Sequence, residues 1–230
     1  MSALETEAKS GLTRRSLVTG AVWSVPIIAA ATATPLASAS QCTAGTLDWA
    51  ALAAGANVTT VTVPGTAPTT TATFSITYSS GSTPSAASGR VAAGPQGGVT
   101  GNYYRIEFSN PIPNNSATVR IAFNRPVTGL SFPLLDIDAT TNGYRDNVEV
   151  LTAGFAAARQ ARVIGAGTAG DPFRMDTPYG NIAPTSNQGN VQLTWAAPVS
   201  AVEFRYFQPG DSTNSQNMVI GLGNLAVNPC

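Results

Sequence analysis

Alternating apolar and polar residues run through most of the chain after residue 40. Such a period of two is typical of a strand with one buried face, and long runs with the helical period of 3.6 are absent. The pattern predicts an all-β fold of about ten strands, an antiparallel β-sandwich of the jelly-roll type. The apolar positions of the clearest runs are Phe74, Ile76 and Tyr78; Tyr104, Ile106 and Phe108; Val119, Ile121 and Phe123; Leu130, Phe132 and Leu134; Val148 and Val150; Val191, Leu193 and Trp195; and Val202, Phe204 and Tyr206.

Other segments give weaker patterns. The last strand is expected over 218–227, with a break at Gly221 or Gly223. Further strands are expected in three short segments, and two segments could instead form short helices. The three strand candidates are 45–50, 57–63 and 160–165, and the two helix candidates are 47–54 and 153–159.

An internal repeat relates 119–134 to 191–206 at an offset of 72 residues. In this alignment Val119 meets Val191, Ile121 meets Leu193, Phe123 meets Trp195 and Pro126 meets Pro198. Proline favours turns, so each copy is predicted to form a strand, a Pro-Val turn and a second strand. The two copies would then be two hairpins that cover a shared core.

The segment 79–102 is rich in Gly, Ser, Ala and Pro and has a single charged residue, Arg90. A loop of this length without regular structure is uncommon in a compact domain. It is expected to be either a mobile cover over one end of the sandwich or a tolerated insertion.

Residues 1–39 have the features of an export signal. Arg14 and Arg15 precede an uncharged, Ala-rich run, and the small residues at 37–39 suit cleavage before Ser40. The adjacent arginines favour the twin-arginine (Tat) route, with the Tat translocase and signal peptidase as transient partners, over an ordinary secretory peptide. A single domain over 40–230 would follow, secreted or held in the cell envelope, with no stable membrane anchor.

The charged residues exclude several classes of function. The chain has 12 Lys+Arg, 12 Asp+Glu and no His. Without histidine there is no Ser-His-Asp or Cys-His nucleophile and no His-ligated metal. A net charge of zero without a basic cluster argues against nucleic-acid binding.

The two cysteines, Cys42 and Cys230, lie near the ends of the expected mature chain. In an exported protein an even pair predicts a disulfide, and only one pairing is possible. Such a clasp requires the first and last strands to be neighbours.

The segment 134–147 carries the best candidates for chemistry. Leu130, Phe132 and Leu134 should face the core, so Asp136 and Asp138 continue the buried face. A buried carboxylate is costly unless it is paired or binds a cation. Asp146 returns across an Asn-Gly turn, and the three aspartates with nearby loop oxygens could bind Ca²⁺.

Two alternatives compete with calcium. Arg125 or Arg145 could neutralise Asp136 or Asp138 in a structural ion pair. The acidic and Asn-Gly residues could also serve only as turn formers.

Exposed aromatic residues are candidates for binding a sugar. Alternation or loop position places Tyr103, Tyr144, Phe173, Tyr179 and Phe207 outside the core. The more buried aromatic residues are expected to be Trp49, Trp195, Phe204 and Tyr206.

Catalysis has less support in the sequence. A glycoside hydrolase needs two carboxylates facing each other across a cleft. Glu107, Glu149 and Glu203 each fall on the outward side of a strand, and their spacing does not pair them. An enzyme is therefore the less favoured class.

Several motifs together resemble a known group of proteins. They are the Tat-type signal, the early cysteine, the run Ala-Phe-Asn-Arg-Pro-Val-Thr-Gly-Leu-Ser-Phe, the Leu-Asp-Ile-Asp loop followed by Arg-Asp-Asn-Val-Glu-Val, and the closing Ile-Gly-Leu-Gly-Asn-Leu. In these respects the chain resembles uncharacterised exported β-sandwich proteins of high-GC Gram-positive bacteria. The likeness covers most of 42–230, but it implies no activity and no site residues.

The sequence therefore predicts a secreted, disulfide-clasped β-sandwich that acts as a binding or surface-interaction module. An extracellular glycan or cell-surface component is the expected partner. The alternatives are a carbohydrate-active enzyme and a purely structural component of the cell envelope.

Overall fold

The computed structural model describes residues 42–109, 112–140, 143–177, 180–212 and 217–229. The predicted export signal over 1–39, with Arg14 and Arg15, lies outside the described residues. Tyr179 and Cys230 also lie outside them.

The described part of the chain is built from strands, and every pairing between them is antiparallel. It contains no α-helix, and none of its helical segments is long or apolar enough to span a membrane. The prediction of an all-β antiparallel fold is confirmed. The strands are β1 Gly45–Leu47, β2 Thr60–Val63, β3 Thr70–Tyr78, β4 Val91–Ala92, β5 Tyr103–Phe108, β6 Ser116–Leu135, β7 Asn147–Val150, β8 Phe155–Arg159, β9 Val163–Ile164, β10 Arg174–Met175, β11 Val191–Trp195, β12 Val199–Phe207, β13 Met218–Leu222 and β14 Leu225–Asn228.

The long strand β6 belongs to two sheets. Its first half lies in a sheet with the order β2-β3-β6-β12-β7, which we call the first sheet. Its second half lies in the second sheet, between β11 and β14, with β8 beyond β11 and β1 beyond β14. β13 pairs with the end of β6 and carries β5 and β4. A separate pair is formed by β9 and β10.

β6 crosses between the sheets where its register with β12 changes. The pairing passes from Ala201 opposite Ala122 to Val199 opposite Val127, so β6 has extra residues there. Extra residues of this kind bend a strand and increase its twist. The predicted Pro-Val turn at Pro126 is therefore wrong, because this residue lies within one bent strand of 20 residues.

The internal repeat forms a different structure from the predicted pair of hairpins. The two copies pair with each other: β11 lies against the second half of β6, and β12 lies against the first half. In each copy the proline marks the passage from one sheet to the other. The expectation of two separate hairpins is thus wrong, although both copies do contribute to one core.

Aromatic side chains from the two sheets meet in a single buried cluster. Phe74 of the first sheet lies 5.1 Å from Tyr104 of the second, measured between ring centroids. Phe108 lies 5.5 Å from Tyr206 in the same way. Trp49, Trp195, Phe204 and Tyr206 are all buried, as predicted.

Several of the weaker predictions can now be compared with the structure. The segment 153–159 is not a helix, because Phe155–Arg159 forms β8. In 47–54 only Trp49–Ala51 is helical, as one 3₁₀ turn. The last strand is broken between β13 and β14, around Gly223, as expected.

The loop 79–102 is tied to the rest of the domain. Val91 and Ala92 pair with β5, and the Tyr78 hydroxyl donates to the Ser88 hydroxyl at 2.6 Å. Arg90 donates to the carbonyl of Gly55 at 3.0 Å. The segment is therefore a docked insertion with some regular structure.

The first and last strands are neighbours, as the predicted clasp requires. β1 pairs with β14, and Gly45 stands opposite Val227. No cysteine among the described residues is free.

Candidate functional site

The three predicted aspartates are buried together at the end of β6. Asp136 is 7% exposed, Asp138 3% and Asp146 1%. The expected burial of Asp136 and Asp138 is confirmed, but they do not continue one face of the strand, because Leu135 and Ile137 are also fully buried. We call Asp136, Asp138 and Asp146 the acid cluster.

The backbone around β6 and β7 brings these side chains together. Asp136 follows the last residue of β6 and has a left-handed backbone, with φ of 65°, which ends the strand. The amide of Asp138 donates to the Asp146 carboxylate at 3.2 Å. In return the amide of Asp146 donates to the Asp138 carbonyl at 2.9 Å. The segment after β6 and the segment before β7 are therefore joined by one backbone and one side-chain hydrogen bond.

Neutral donors satisfy most of the carboxylate oxygens. The Tyr206 hydroxyl donates to Oδ1 of Asp146 at 2.5 Å, and the amide of Ile182 donates to Oδ2 of Asp138 at 3.1 Å. Gln96 donates from Nε2 to Oδ2 of Asp136 at 2.8 Å. Oδ1 of Asp136 is buried and has no hydrogen-bond partner among the described residues.

Burial raises the pKa of all three carboxyl groups of the acid cluster. Desolvation, helped by the charge of Asp138, raises the pKa of Asp136 to about 7. Burial also raises the pKa of Asp138, although hydrogen bonds from Tyr144 and Ile182 oppose it. The pKa of Asp146 is raised well above its usual value by burial and then by the charge of Asp138. Carboxyl groups this close share protons because they cannot all ionise at low cost.

Neither predicted arginine neutralises the acid cluster. Arg145 pairs with Asp211 at 2.6 Å. Arg125 makes no ion pair within the described part of the chain, and its buried Nε has no partner. The expected ion pair between these arginines and Asp136 or Asp138 is therefore wrong.

The described residues also contain no group of three acidic or cysteine side chains arranged to hold a metal ion. The carboxylates instead accept hydrogen bonds from Tyr206, Ile182 and Gln96. Ca²⁺ would need about six to eight oxygen ligands, so these donors would have to be displaced. The hydrogen-bonded arrangement favours a structural role for the acid cluster.

The tip of the docked insertion covers one side of the acid cluster. Asn190 accepts from the amide of Asp136 at 3.0 Å and donates to the carbonyl of Gly97 at 2.8 Å. Gly97 has φ of 55°, and a Cβ there would lie 2.4 Å from Asn190 Oδ1 and 2.9 Å from Leu135 Cβ. Only glycine allows the backbone at position 97 to lie this close to Asn190 and Leu135. This close approach places the neighbouring Gln96 within hydrogen-bond distance of Asp136.

A pocket of about 270 Å³ opens beside Asp146. It lies between the start of β7, the β9–β10 pair and the turn at 209–211. Its polar lining includes Arg145, Asn147, Arg174, Asp176, Thr177 and Asp211, and its apolar lining includes Ala139, Ile164, Met175 and Pro209. This mixture of a few polar groups with apolar surface is typical of small-ligand sites.

Ion pairs balance the charges around this pocket. Arg145 pairs with Asp211 at 2.6 Å, and Asp176 accepts from Arg162 at 2.9 Å. Arg174 pairs with Asp171 at 2.8 Å. The pocket rim therefore offers hydrogen-bond donors and acceptors without a large net charge.

None of the predicted sugar-binding aromatic residues that the structure describes is fully exposed. Tyr103 and Phe173 are buried, at 3% and 0% exposure, so the prediction that they lie outside is wrong. Tyr144 is half-buried against the core and bonds to Asp138. Phe207 is half-buried, with the Arg205 guanidinium 4.5 Å from its ring centroid.

Two of the three glutamates expected to lie on the outward side of a strand are buried. Glu107 and Glu149 are buried, at 3% and 8% exposure. Glu107 pairs with Arg105 at 2.9 Å, and Glu149 pairs with Arg205 at 2.7 Å. Glu203 is partly exposed and pairs with Arg120. Each glutamate is neutralised by an arginine on its own or a neighbouring strand.

Comparison with family models, curated proteins and solved structures finds no match for this chain. Its functional assignment therefore depends on the pocket and on the acid cluster.

The sequence did not reveal the pocket. Its residues come from five separated segments, and the strands β9 and β10, which carry Ile164, Arg174 and Met175, have only two residues each. Strands this short leave no detectable alternation. The acid cluster was detectable because two of its aspartates lie just beyond a long strand with a buried face.

Proposed function

We propose that the chain is an exported β-sandwich domain that binds a neutral, hydroxyl-rich ligand such as a saccharide unit in the pocket beside Asp146. The observation that carries this proposal is the composition of the pocket. Its arginines, and all of its aspartates except the buried Asp146, are in ion pairs, so they present directed donors and acceptors with little net charge.

The apolar part of the lining supports the same class of ligand. Met175, Ile164 and Pro209 offer surface for the carbon-bound face of a sugar ring. A volume of about 270 Å³ is suited to one small unit rather than to a folded partner.

The packing of the two sheets supports the β-sandwich architecture in this proposal. Rings of the first and second sheets contact each other, and both sheets are open. We propose that Cys42 pairs with Cys230, because extending the β1–β14 register by three residues brings position 42 opposite position 230. Two freely alkylatable thiols in native protein would contradict this pairing.

The Tat-like signal supports a location outside the cytoplasm, as does the resemblance to exported proteins. Changing Arg14→Lys together with Arg15→Lys should trap the precursor inside the cell. Unchanged secretion of this double variant would exclude the twin-arginine route.

Binding can be tested by NMR with a panel of neutral, acidic and basic mono- and disaccharides. Neutral sugars should shift the amide signals of 145–147, 174–177 and 209–211. Asp176→Asn should weaken binding about tenfold, which corresponds to about 1.4 kcal/mol. Glu203→Gln, which alters an ion pair outside the pocket, should leave the affinity unchanged.

Three results would contradict the proposal in different ways. Changes in amide signals confined to other surfaces would show that the saccharide binds outside this pocket. Release of reducing sugar from a polysaccharide would favour the carbohydrate-active enzyme. No response to any saccharide would favour a structural envelope component.

A further inference from the structure

The strand β8 lies at an edge of the second sheet. Among the described residues it pairs only with β11. Its residues Ala156, Ala157, Ala158 and Arg159 are exposed, and Phe155 is half-buried. One side of this strand is therefore open to solvent.

The direction of the backbone groups in β8 follows from the register. The amide of Gln160 donates to the carbonyl of Asn190 at 2.9 Å, so Gln160 faces the β11 side. Residues alternate in an antiparallel pair, so Ala158 and Ala156 also face β11. The amides and carbonyls of residues 155, 157 and 159 point outward, and no strand of the described chain pairs with them.

The edge of the first sheet at β7 is better protected. β7 ends the first sheet, but Phe173 bridges to Val148 and the amide of Val150 donates to Gly167. Among the described residues β8 has no such cover, and it contains no proline and no lysine. Its only charge is Arg159 at one end, whose Nη1 donates to the carbonyl of Gly165 at 2.9 Å. Exposed, flat edges of this kind readily accept another strand.

We propose that β8 pairs antiparallel with β8 of a second copy of this chain, about a two-fold axis at Ala157. In this arrangement Ala157 faces the partner's Ala157, and Phe155 faces the partner's Arg159. The outward amides and carbonyls of 155, 157 and 159 then bond to those of the partner. The contact is isologous and closes at two copies.

The side chains on this edge complement one another across the axis. The guanidinium of the partner's Arg159 would lie near the ring of Phe155, which favours a cation–π contact. No charge faces its own copy, and the small Ala157 allows the two strands to approach closely.

A groove beside β8 offers a further surface for the side chains of the second copy. It has a volume of about 390 Å³, and Phe155 and Phe173 line it together with Asp171. Phe155, Ala157 and Arg159 line the same groove, so their side chains share one face. The partner's Arg159 would enter on this face, beside Asp171, whose carboxylate already pairs with Arg174 at 2.8 Å.

The test is sedimentation of the purified protein over a wide range of concentration. The wild-type protein should show a monomer–dimer equilibrium. Ala157→Glu and Ala157→Lys should each be monomeric, because like charges would face each other at the axis. An equimolar mixture of the two variants should restore a dimer, now a heterodimer with opposite charges in contact.

Ala158→Glu is the matched control. Residue 158 is equally exposed but would face the partner's Ala156, so this variant should still dimerise. A wild-type monomer at every concentration would overturn the proposal, and an added extended peptide that bound β8 would then identify the edge as a peptide site. A dimer that persisted in Ala157→Glu would also overturn it.

Discussion

Two groups of aspartates in this domain are neutralised in different ways. Asp171, Asp176 and Asp211 lie at the surface, and each pairs with an arginine at 2.6–2.9 Å. The acid cluster is buried and has no arginine partner among the described residues. Its carboxyl groups accept hydrogen bonds from hydroxyl and amide donors, and burial raises their pKa values.

The difference shows what each group can do. The surface pairs are screened by water and contribute little to stability, but they keep polar groups in place around the pocket. The acid cluster contributes through satisfied hydrogen bonds, and its contribution depends on protonation. The domain should therefore be sensitive to changes in the acid cluster and tolerant of changes at the pocket rim.

The largest effect should come from pH, because it acts on three carboxyl groups at once. The pKa of Asp136 in the folded protein is about 7, against an ordinary value of 3.8, and the pKa values of Asp138 and Asp146 are also raised. Raised values mean that the folded state holds protons more tightly, so this stabilisation is complete below about pH 4 and is lost as pH rises through about 7. Denaturant unfolding across this range should show a falling free energy of unfolding.

Asp136→Asn is the matching variant for this experiment. It keeps an oxygen for Gln96 but removes one titrating group, so its profile should be flatter than that of the wild-type protein. A free energy of unfolding that rises steadily across the range would contradict the proposed protonation.

The second effect concerns Asp146, which accepts from the Tyr206 hydroxyl and the Asp138 amide. Asp146→Ala leaves both buried donors without a partner and should lower the free energy of unfolding by about 4 kcal/mol. Asp211→Ala removes an exposed partner of Arg145 and is the control. Equal losses in the two variants would remove the distinction between the two groups.

The third effect tests the docking of the insertion over the acid cluster. Gly97→Ala introduces a Cβ that would lie 2.4 Å from Asn190 Oδ1, at a backbone φ of 55°. It should cost about 3 kcal/mol, from the backbone strain and the overlap together. Gly81→Ala is the control, because φ is 79° there but no atom lies within 4 Å of the new Cβ. Its cost should be about 1 kcal/mol, and an equal cost at Gly97 would show that the insertion adapts freely.

The smallest effect is expected at the pocket rim. Arg145→Gln breaks the ion pair with Asp211, whose side chain is 72% exposed. The free energy of unfolding should change by less than about 1 kcal/mol. A loss comparable to that of Asp146→Ala would mean that the rim supports the fold.

How far the sequence predicts these features depends on the length of the pattern behind each. Leu130, Phe132 and Leu134 are spaced so regularly that both the strand and the burial of Asp136 and Asp138 follow from them. The bend of β6 was not predictable, because Pro126 favours a turn locally and only pairing with β12 keeps the strand continuous. Tyr103 was placed outside by alternation, but Gln96 of the docked insertion covers it: the Tyr103 hydroxyl lies 3.4 Å from the Gln96 side-chain oxygen.

The most direct test of the central claim is a carbon-13 NMR titration of the aspartate carboxyl groups, in EDTA and again in millimolar Ca²⁺. The claim is that protons and neutral donors stabilise the acid cluster. Asp136 should titrate near pH 7, Asp138 and Asp146 should titrate above the ordinary aspartate range, and Ca²⁺ should leave all three signals unchanged. Titration of Asp136 near pH 4, or a shift of these signals on adding Ca²⁺, would contradict it.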